Sequence, residues 1–251
     1  MANKLVQATR RVLHRMGIDI VRWPPALPAD VAEDRAVIER VRPYTMTSPE
    51  RIHALVKATR HVAAAQIPGA IVECGVWRGG SMMATALTLI AAGDTARELY
   101  LFDTFEGMTA PTAQDVDLEG TAASALLQAQ SKSDPQSVWC YATEEDVGGV
   151  MAATGYPRER IHLVKGKVEE TLPGEAPAQI ALLRLDTDWY ESTRHELEHL
   201  FPRLSPGGVL IIDDYGHWAG CRRAVDEYLA THRINLLLNR VDYSGRIAIK
   251  A

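Results

Sequence analysis

The chain has 251 residues, 47% of them apolar and 24% charged, with a net charge of −5 and a pI of about 5.9. This is ordinary globular composition, enough for one large α/β domain, and it excludes the basic footprint of a nucleic-acid binder. No apolar run spans a bilayer, no signal-peptide pattern opens the chain, and Cys74, Cys140 and Cys221 fit neither a disulfide framework nor a zinc site; a cytoplasmic setting is the expectation.

Residues 1–42 read as an N-terminal helical extension. Leu5, Val12, Leu13 and Met16 recur at helical spacing among Lys4, Arg10, Arg11 and Arg15. Gly17 stops that helix, and Trp23-Pro24-Pro25 with Pro28 cannot continue it. The pattern predicts a helix packed on the domain or used in a homo-oligomer. Weak contact of a basic amphipathic helix with a membrane surface is the alternative.

Residues 43–251 read as a single domain. Ser48-Pro49-Glu50 is an N-cap followed by proline at the first helical position, opening a helix toward Gln66. Short apolar runs follow at 70–74, 99–102, 161–164, 180–185, 209–212 and 234–238, suited to strands buried on both faces of a parallel sheet. Helical stretches between most of them predict a doubly wound α/β fold. The segments 234–241 and 246–250, joined by Asp242-Tyr243-Ser244-Gly245, predict a C-terminal antiparallel hairpin. Residues 107–149 break the alternation and read as a lid-like or substrate-binding insert at the carboxyl edge.

The first strand ends in Glu73-Cys74-Gly75-Val76-Trp77-Arg78-Gly79-Gly80-Ser81. Gly75 permits a sharp turn against a ligand, and Gly79 and Gly80 free a helix N-terminus that favours a carboxylate or phosphate. The spacing E-x-G-x-x-x-G-G differs from the G-x-G-x-x-G of dinucleotide folds, which favours the amino-acid end of S-adenosylmethionine. The second strand ends in Asp103-Thr104-Phe105-Glu106-Gly107, where the acid can accept ribose hydroxyls. Gly166, after the third strand, falls where an adenine ring would lie. Glu73, Gly75, Gly79, Ser81, Asp103, Thr104, Phe105 and Gly166 are the candidate cofactor-binding residues.

Two acidic pairs close neighbouring strands, Asp186-Thr187-Asp188 and Asp213-Asp214. Four carboxylates on one edge repel one another and raise each other's pKa values; a hard divalent cation with oxygen ligands relieves that. Helix capping by Asp188, before a helix over 191–204, and by Asp214 is the competing explanation. Leu204-Ser205-Pro206-Gly207-Gly208 reads as a helix stop and tight turn.

In this order, E-x-G-V-W-R-G-G, D-T-F-E-G, R-L-D-T-D-W-Y-E-S-T, L-S-P-G-G and I-I-D-D-Y resemble the macrocin O-methyltransferase family over roughly residues 43–250. The first forty residues look more like the leader of methyltransferases from polysaccharide or glycolipid gene clusters. The resemblance implies a class I methyltransferase fold, S-adenosylmethionine, magnesium, and transfer to a hydroxyl of a sugar-containing small molecule or glycan. It implies that Asp186, Asp213 and Asp214 hold the metal and that Asp186 is the base; Asp188 competes with Asp186 for both roles. Trp77, Trp189, Tyr190, Tyr215 and His217 are candidates to line the acceptor pocket. Transfer to a phenol or catechol is the nearest alternative. A D-x-D glycosyltransferase using Asp186 and Asp188 is a further one, and a catalytically silent binding protein another. His195-Glu196-Leu197-Glu198-His199 matches the zincin H-E-x-x-H pattern, but its helix reads as a crossover whose histidines face away from the apolar stripe.

Overall fold

Alternation of apolar strands and helices produces a seven-stranded sheet in the order β3-β2-β1-β4-β5-β7-β6. In the computed structural model the strands are β1 (Ala70–Cys74), β2 (Leu99–Asp103), β3 (Ile161–Lys165), β4 (Ile180–Leu185), β5 (Leu204–Ile212), β6 (Asn239–Arg240) and β7 (Arg246–Ile249). The first five pair in parallel; β7 runs antiparallel to both β5 and β6. This is the class I methyltransferase arrangement, with its C-terminal antiparallel pair. The structure describes Leu13, residues 28–134 and residues 137–251. The amphipathic helix expected over residues 5–16 lies, Leu13 apart, outside the described residues.

Two compact units divide the chain, Met1–Glu33 and Asp34–Ala251. Among described residues the first contains helix α1 (Ala29–Ala32). The second begins earlier than residue 43, because α2 (Arg35–Val41) buries Ile38 and Val41. Asp34, just before α2, accepts from His53 and Arg60 of α3 (Pro49–Ala64). Ser48 caps α3 as expected, accepting from the Arg51 N–H at 3.2 Å. No described helix is long and apolar enough to cross a membrane.

The pleat sorts each strand into two faces. Ile71, Leu182, Val209 and Ile211 meet α3, α4 (Gly80–Ala92) and α6 (Glu144–Ala152). Val72, Cys74, Leu183, Leu185, Leu210 and Ile212 meet α5 (Ala123–Ala129), α8 (Tyr190–Leu200) and α9 (Ala219–Thr231). A short α7 (Val168–Thr171) joins this second layer through Val168. Each buried Leu or Ile is worth about 1.5–3 kcal/mol, so β1 and β4, apolar apart from Glu73 and Arg184, anchor the sheet centre.

Three local expectations are corrected. Ile234–Leu238 is not a strand: Ile234, Leu236 and Leu238 pack on the core while Leu237 is 76% exposed, and the segment has no ladder partner until Asn239. The helix through Glu191 ends at Leu200, because Pro202 enters a 3₁₀ turn over Phe201–Arg203. Ser205–Gly208 lies within β5 as a bulge: the register passes from Ile180↔Leu204 to Leu182↔Val209, and Gly207 takes φ +77°.

The insert is anchored rather than loose. Asp115, fully buried, accepts from the Thr112 N–H (2.6 Å), the Thr112 hydroxyl (2.9 Å) and the Tyr190 N–H (2.8 Å). It thereby serves the N-terminus of α8. The Ala219 N–H, opening α9, donates to the Val116 carbonyl, and the Trp189 indole donates to the Thr109 carbonyl. Asp115→Ala removes a buried cap, so stability should fall by about 1–2 kcal/mol, read as a lower denaturation midpoint, with new protease sensitivity in residues 107–122. A variant with unchanged midpoint and cleavage contradicts this anchoring.

Candidate active site

Where β1, β2, β4 and β5 end, their loops enclose a cleft of about 340 Å³. Gly75 takes φ +80°, and a Cβ there would overlap the Asp186 backbone carbonyl. Asp186 N–H in turn donates to the Cys74 carbonyl at 2.8 Å, so the glycine loop and the acidic loop after β4 are built against each other. Trp77 is left-handed at φ +46°, a strained setting for a side-chain-bearing residue. Asp103 holds it there: Oδ2 accepts from the Val76 and Trp77 N–H groups at 2.7 and 2.9 Å, and Oδ1 from the Phe105 N–H at 2.8 Å. Burial raises the Asp103 pKa, and these backbone donors oppose the rise.

Of the candidate cofactor residues, Gly75, Ser81, Asp103, Thr104 and Gly166 line the cleft. Glu73, Gly79 and Phe105 do not. Glu73 is 1% exposed and pairs with Arg184, Gly79 supplies the left-handed entry to α4, and Phe105 packs in the core. Trp77 and His217 reach the cleft, whereas Trp189 stacks edge-on with Trp218 at 5.0 Å inside the core. Tyr190 and Tyr215 turn outward to Glu227 and Asp226.

The carboxylates separate into two groups. One oxygen from each of Asp186, Asp188 and Asp214 lies within 4.8 Å of the others, the one such cluster among the described residues. Asp213 faces elsewhere: it pairs with Arg51 and, through Oδ1, with Arg184 at 2.6 Å. Neither pair caps a helix. The N-cap residues of α8 and α9 are Trp189 and Trp218, without side-chain caps. Burial pushes Asp188 up to about 7. Burial also raises Asp186 and Asp214, Asp213 adding to both, with Arg184 opposing the rise at Asp186. Asp214 Oδ2 is buried without a hydrogen-bond partner. A hard cation would satisfy such a donor set of clustered carboxylate oxygens.

Sequence reasoning missed the cleft wall formed by residues 44–47 and Arg51. Arg78 lies 5.7 Å from the Tyr44 ring and donates to the Pro43 carbonyl, and a Cβ at Gly80 would press on the Tyr44 carbonyl. The insert adds Met108, Thr109, Val138 and Cys140. No periodicity or motif marks these contacts. The H-E-x-x-H pattern brings the His195 and His199 rings to 4.3 Å, but Glu196 points into the core and accepts from the Thr187 hydroxyl.

The sequence matches the macrocin O-methyltransferase family over residues 30–248. The chain belongs to that family. It is 36% identical over 202 residues to the 8-demethyl-8-(2,3-dimethoxy-alpha-L-rhamnosyl)-tetracenomycin-C 4'-O-methyltransferase of Streptomyces olivaceus, covering 80% of this chain and 74% of that one. It is 33% identical over 203 residues to the mycinamicin III 3''-O-methyltransferase of Micromonospora griseorubida, covering 80% and 76%. The solved structure of the O-methyltransferase NovP superposes with a TM-score of 0.70 at 30% identity, covering 83% of this chain and 82% of the other. This macrocin O-methyltransferase family member is therefore an S-adenosylmethionine-dependent O-methyltransferase. Gly75→Ala tests the junction of its two loops. The overlap with Asp186 and the strain of φ +80° cost about 1–3 kcal/mol, so S-adenosylhomocysteine binding and thermal stability should fall together. Wild-type values for both contradict the junction.

Proposed function

We propose that this O-methyltransferase methylates a sugar hydroxyl of a glycosylated small molecule, with a divalent cation, magnesium first, held by Asp186, Asp188 and Asp214. The observation that carries the metal is the three-carboxylate cluster with its unpartnered Asp214 oxygen beside the cleft. Support for a sugar acceptor comes from the relatives, whose names specify a rhamnosyl tetracenomycin and mycinamicin III. A metal-dependent methylation of a phenol would use the same residues and differ in the acceptor.

A divalent cation in this cluster supplies Lewis-acid polarisation of the acceptor hydroxyl. Asp186 Oδ2 is fixed by Arg184, so its Oδ1 is the oxygen assigned to take the hydroxyl proton. Asp188 and Asp214 supply the other two carboxylates of the cluster. Ser81 and the N-terminus of α4 receive the methionine carboxylate, the remaining lone pair of Asp103 Oδ1 receives a ribose hydroxyl, and Gly166 borders the adenine. In the balanced reaction the sulfonium carbon–sulfur bond breaks, the methyl–oxygen bond forms, and S-adenosylhomocysteine, the methyl ether and a proton result. Alignment of two bound reactants supplies most of the acceleration. Met46 and Tyr243, both at the cleft and half exposed, border its mouth.

Calorimetric titration of S-adenosylhomocysteine, first with magnesium and then with EDTA, followed by methyl transfer to a rhamnoside, tests the proposal. Micromolar binding and magnesium-dependent transfer are expected; absence of binding overturns it. Asp186→Asn should lower turnover by about 10²-fold or more and leave S-adenosylhomocysteine affinity near that of the wild type; normal turnover would refute its role. Asp188→Asn should weaken magnesium binding roughly tenfold or more, an effect that equal loss only in Asp213→Asn would reassign.

The Asp188 carboxyl gives a pH signature. Below its pKa of about 7 it carries a proton that a cation must displace. Magnesium affinity should therefore rise with pH by up to about tenfold per unit and level off above about 7. Without metal the sign is opposite for stability. The folded state binds this proton more tightly than the unfolded chain, so the contribution is present at low pH and lost as pH rises through about 7. Magnesium affinity that is flat from pH 5.5 to 8 contradicts the assignment.

A further inference from the structure

Arg184 occupies a position where a sheet residue is ordinarily apolar. Every residue of β4 is buried, and its neighbours Leu183 and Leu185 belong to the core. Register sets Glu73 beside Arg184 on β1 and Ile211 beside it on β5. The two-residue pleat then carries Asp186 and Asp213 onto the same face, one step nearer the cleft. The guanidinium, 3% exposed, meets all three acids: Nη1 reaches Glu73 and Asp186 Oδ2 (2.7 Å), and Nη2 reaches Asp213 Oδ1 (2.6 Å). Nη2 also donates to the Thr47 hydroxyl at 3.2 Å, in the segment that walls the cleft.

Stability does not account for this arrangement. Exchanging a buried ion pair for apolar side chains of similar volume is often neutral or stabilising, and Leu182, two residues earlier on the same face of β4, shows that leucine fits this face. The arrangement confers direction instead. With Oδ2 of Asp186 fixed from below, Oδ1 is left for the cleft, where a quarter of that side chain is exposed. Asp213 is drawn the other way by Arg184 and Arg51 together, which keeps it out of the Asp186, Asp188 and Asp214 cluster. A planar guanidinium can serve three carboxylates and a hydroxyl at fixed angles; a lysine ammonium cannot.

We infer that Arg184 is a positioning residue of the transfer site: its fork decides which carboxylate oxygens a divalent cation meets and ties them to the cleft wall at Thr47. The inference rests on the metal-assisted reading above. Its test is Arg184→Lys, which keeps the charge and loses the fork. Wild type and variant are titrated with S-adenosylhomocysteine, then with magnesium chloride in its presence, and assayed on the same rhamnoside. For the variant, S-adenosylhomocysteine affinity and the KM for S-adenosylmethionine should stay within about threefold, while magnesium affinity and kcat each fall about 10–100-fold. A folded Arg184→Lys protein with magnesium affinity and kcat within about threefold of wild type overturns the inference. Should that variant fail to fold, Glu73→Gln with Arg184→Met removes the buried pair, leaves Asp213 with Arg51, and should show the same magnesium loss; retained affinity overturns the inference. A wild type that binds no S-adenosylhomocysteine refutes the proposed function, and one that binds S-adenosylhomocysteine but no magnesium refutes the metal reading and this inference together.

Discussion

Crowding of like charge at the carboxyl edge of the sheet is the constraint on which the rest of the site depends. Glu73, Asp186, Asp188, Asp213 and Asp214 converge there, against two guanidiniums, Arg51 and Arg184. Burial would lower the Arg184 pKa, but Asp186, Asp213 and Glu73 reverse this and hold it charged. Burial raises Glu73 to about 7 even with Arg184 beside it. Negative charge remains in excess, concentrated at the clustered carboxylates of Asp186, which Arg184 contacts, Asp188 and Asp214. Such a set is costly when empty and well matched to a divalent cation.

Backbone geometry makes the charge arrangement and the cofactor cleft one construction. Gly75 can touch the Asp186 carbonyl only because it lacks a Cβ. Asp103 fixes the loop that follows Gly75 through two hydrogen bonds and its own loop through a third, and still borders the cleft. Asp115, the Trp189 indole and the Val116 carbonyl fasten the insert to the starts of α8 and α9. The elements proposed to hold methyl donor and acceptor hydroxyl thus share backbone contacts, the condition for catalysis by alignment.

Much of this was legible in the sequence because the strands are short, mostly apolar runs closed by turns or acids. β1, β2, β3 and β4 fall within a residue of the expected positions. The acids and glycines of the site sit at strand ends, where topology alone brings them to one edge. What escaped was whatever depends on which way a side chain turns. Asp213 and Asp214 are neighbours in sequence, yet the pleat sends one to the arginines and the other to the cluster. Glu73 reads as a cofactor contact from its motif, but its position on a buried strand leaves it facing Arg184. The segment 234–238 alternates like a strand and lacks a ladder, since pairing to β7 begins only at Asn239. Arg51 and Thr47 carry no motif, and their approach depends on how α3 packs across the sheet.

The most direct test of the metal-assisted account is anomalous diffraction from crystals grown with manganese chloride and S-adenosylhomocysteine. The account predicts one manganese peak among Asp186, Asp188 and Asp214, with S-adenosylhomocysteine in the cleft beside Gly75 and Asp103. A peak ligated by Asp213, or S-adenosylhomocysteine bound with no manganese at the three carboxylates, would contradict it.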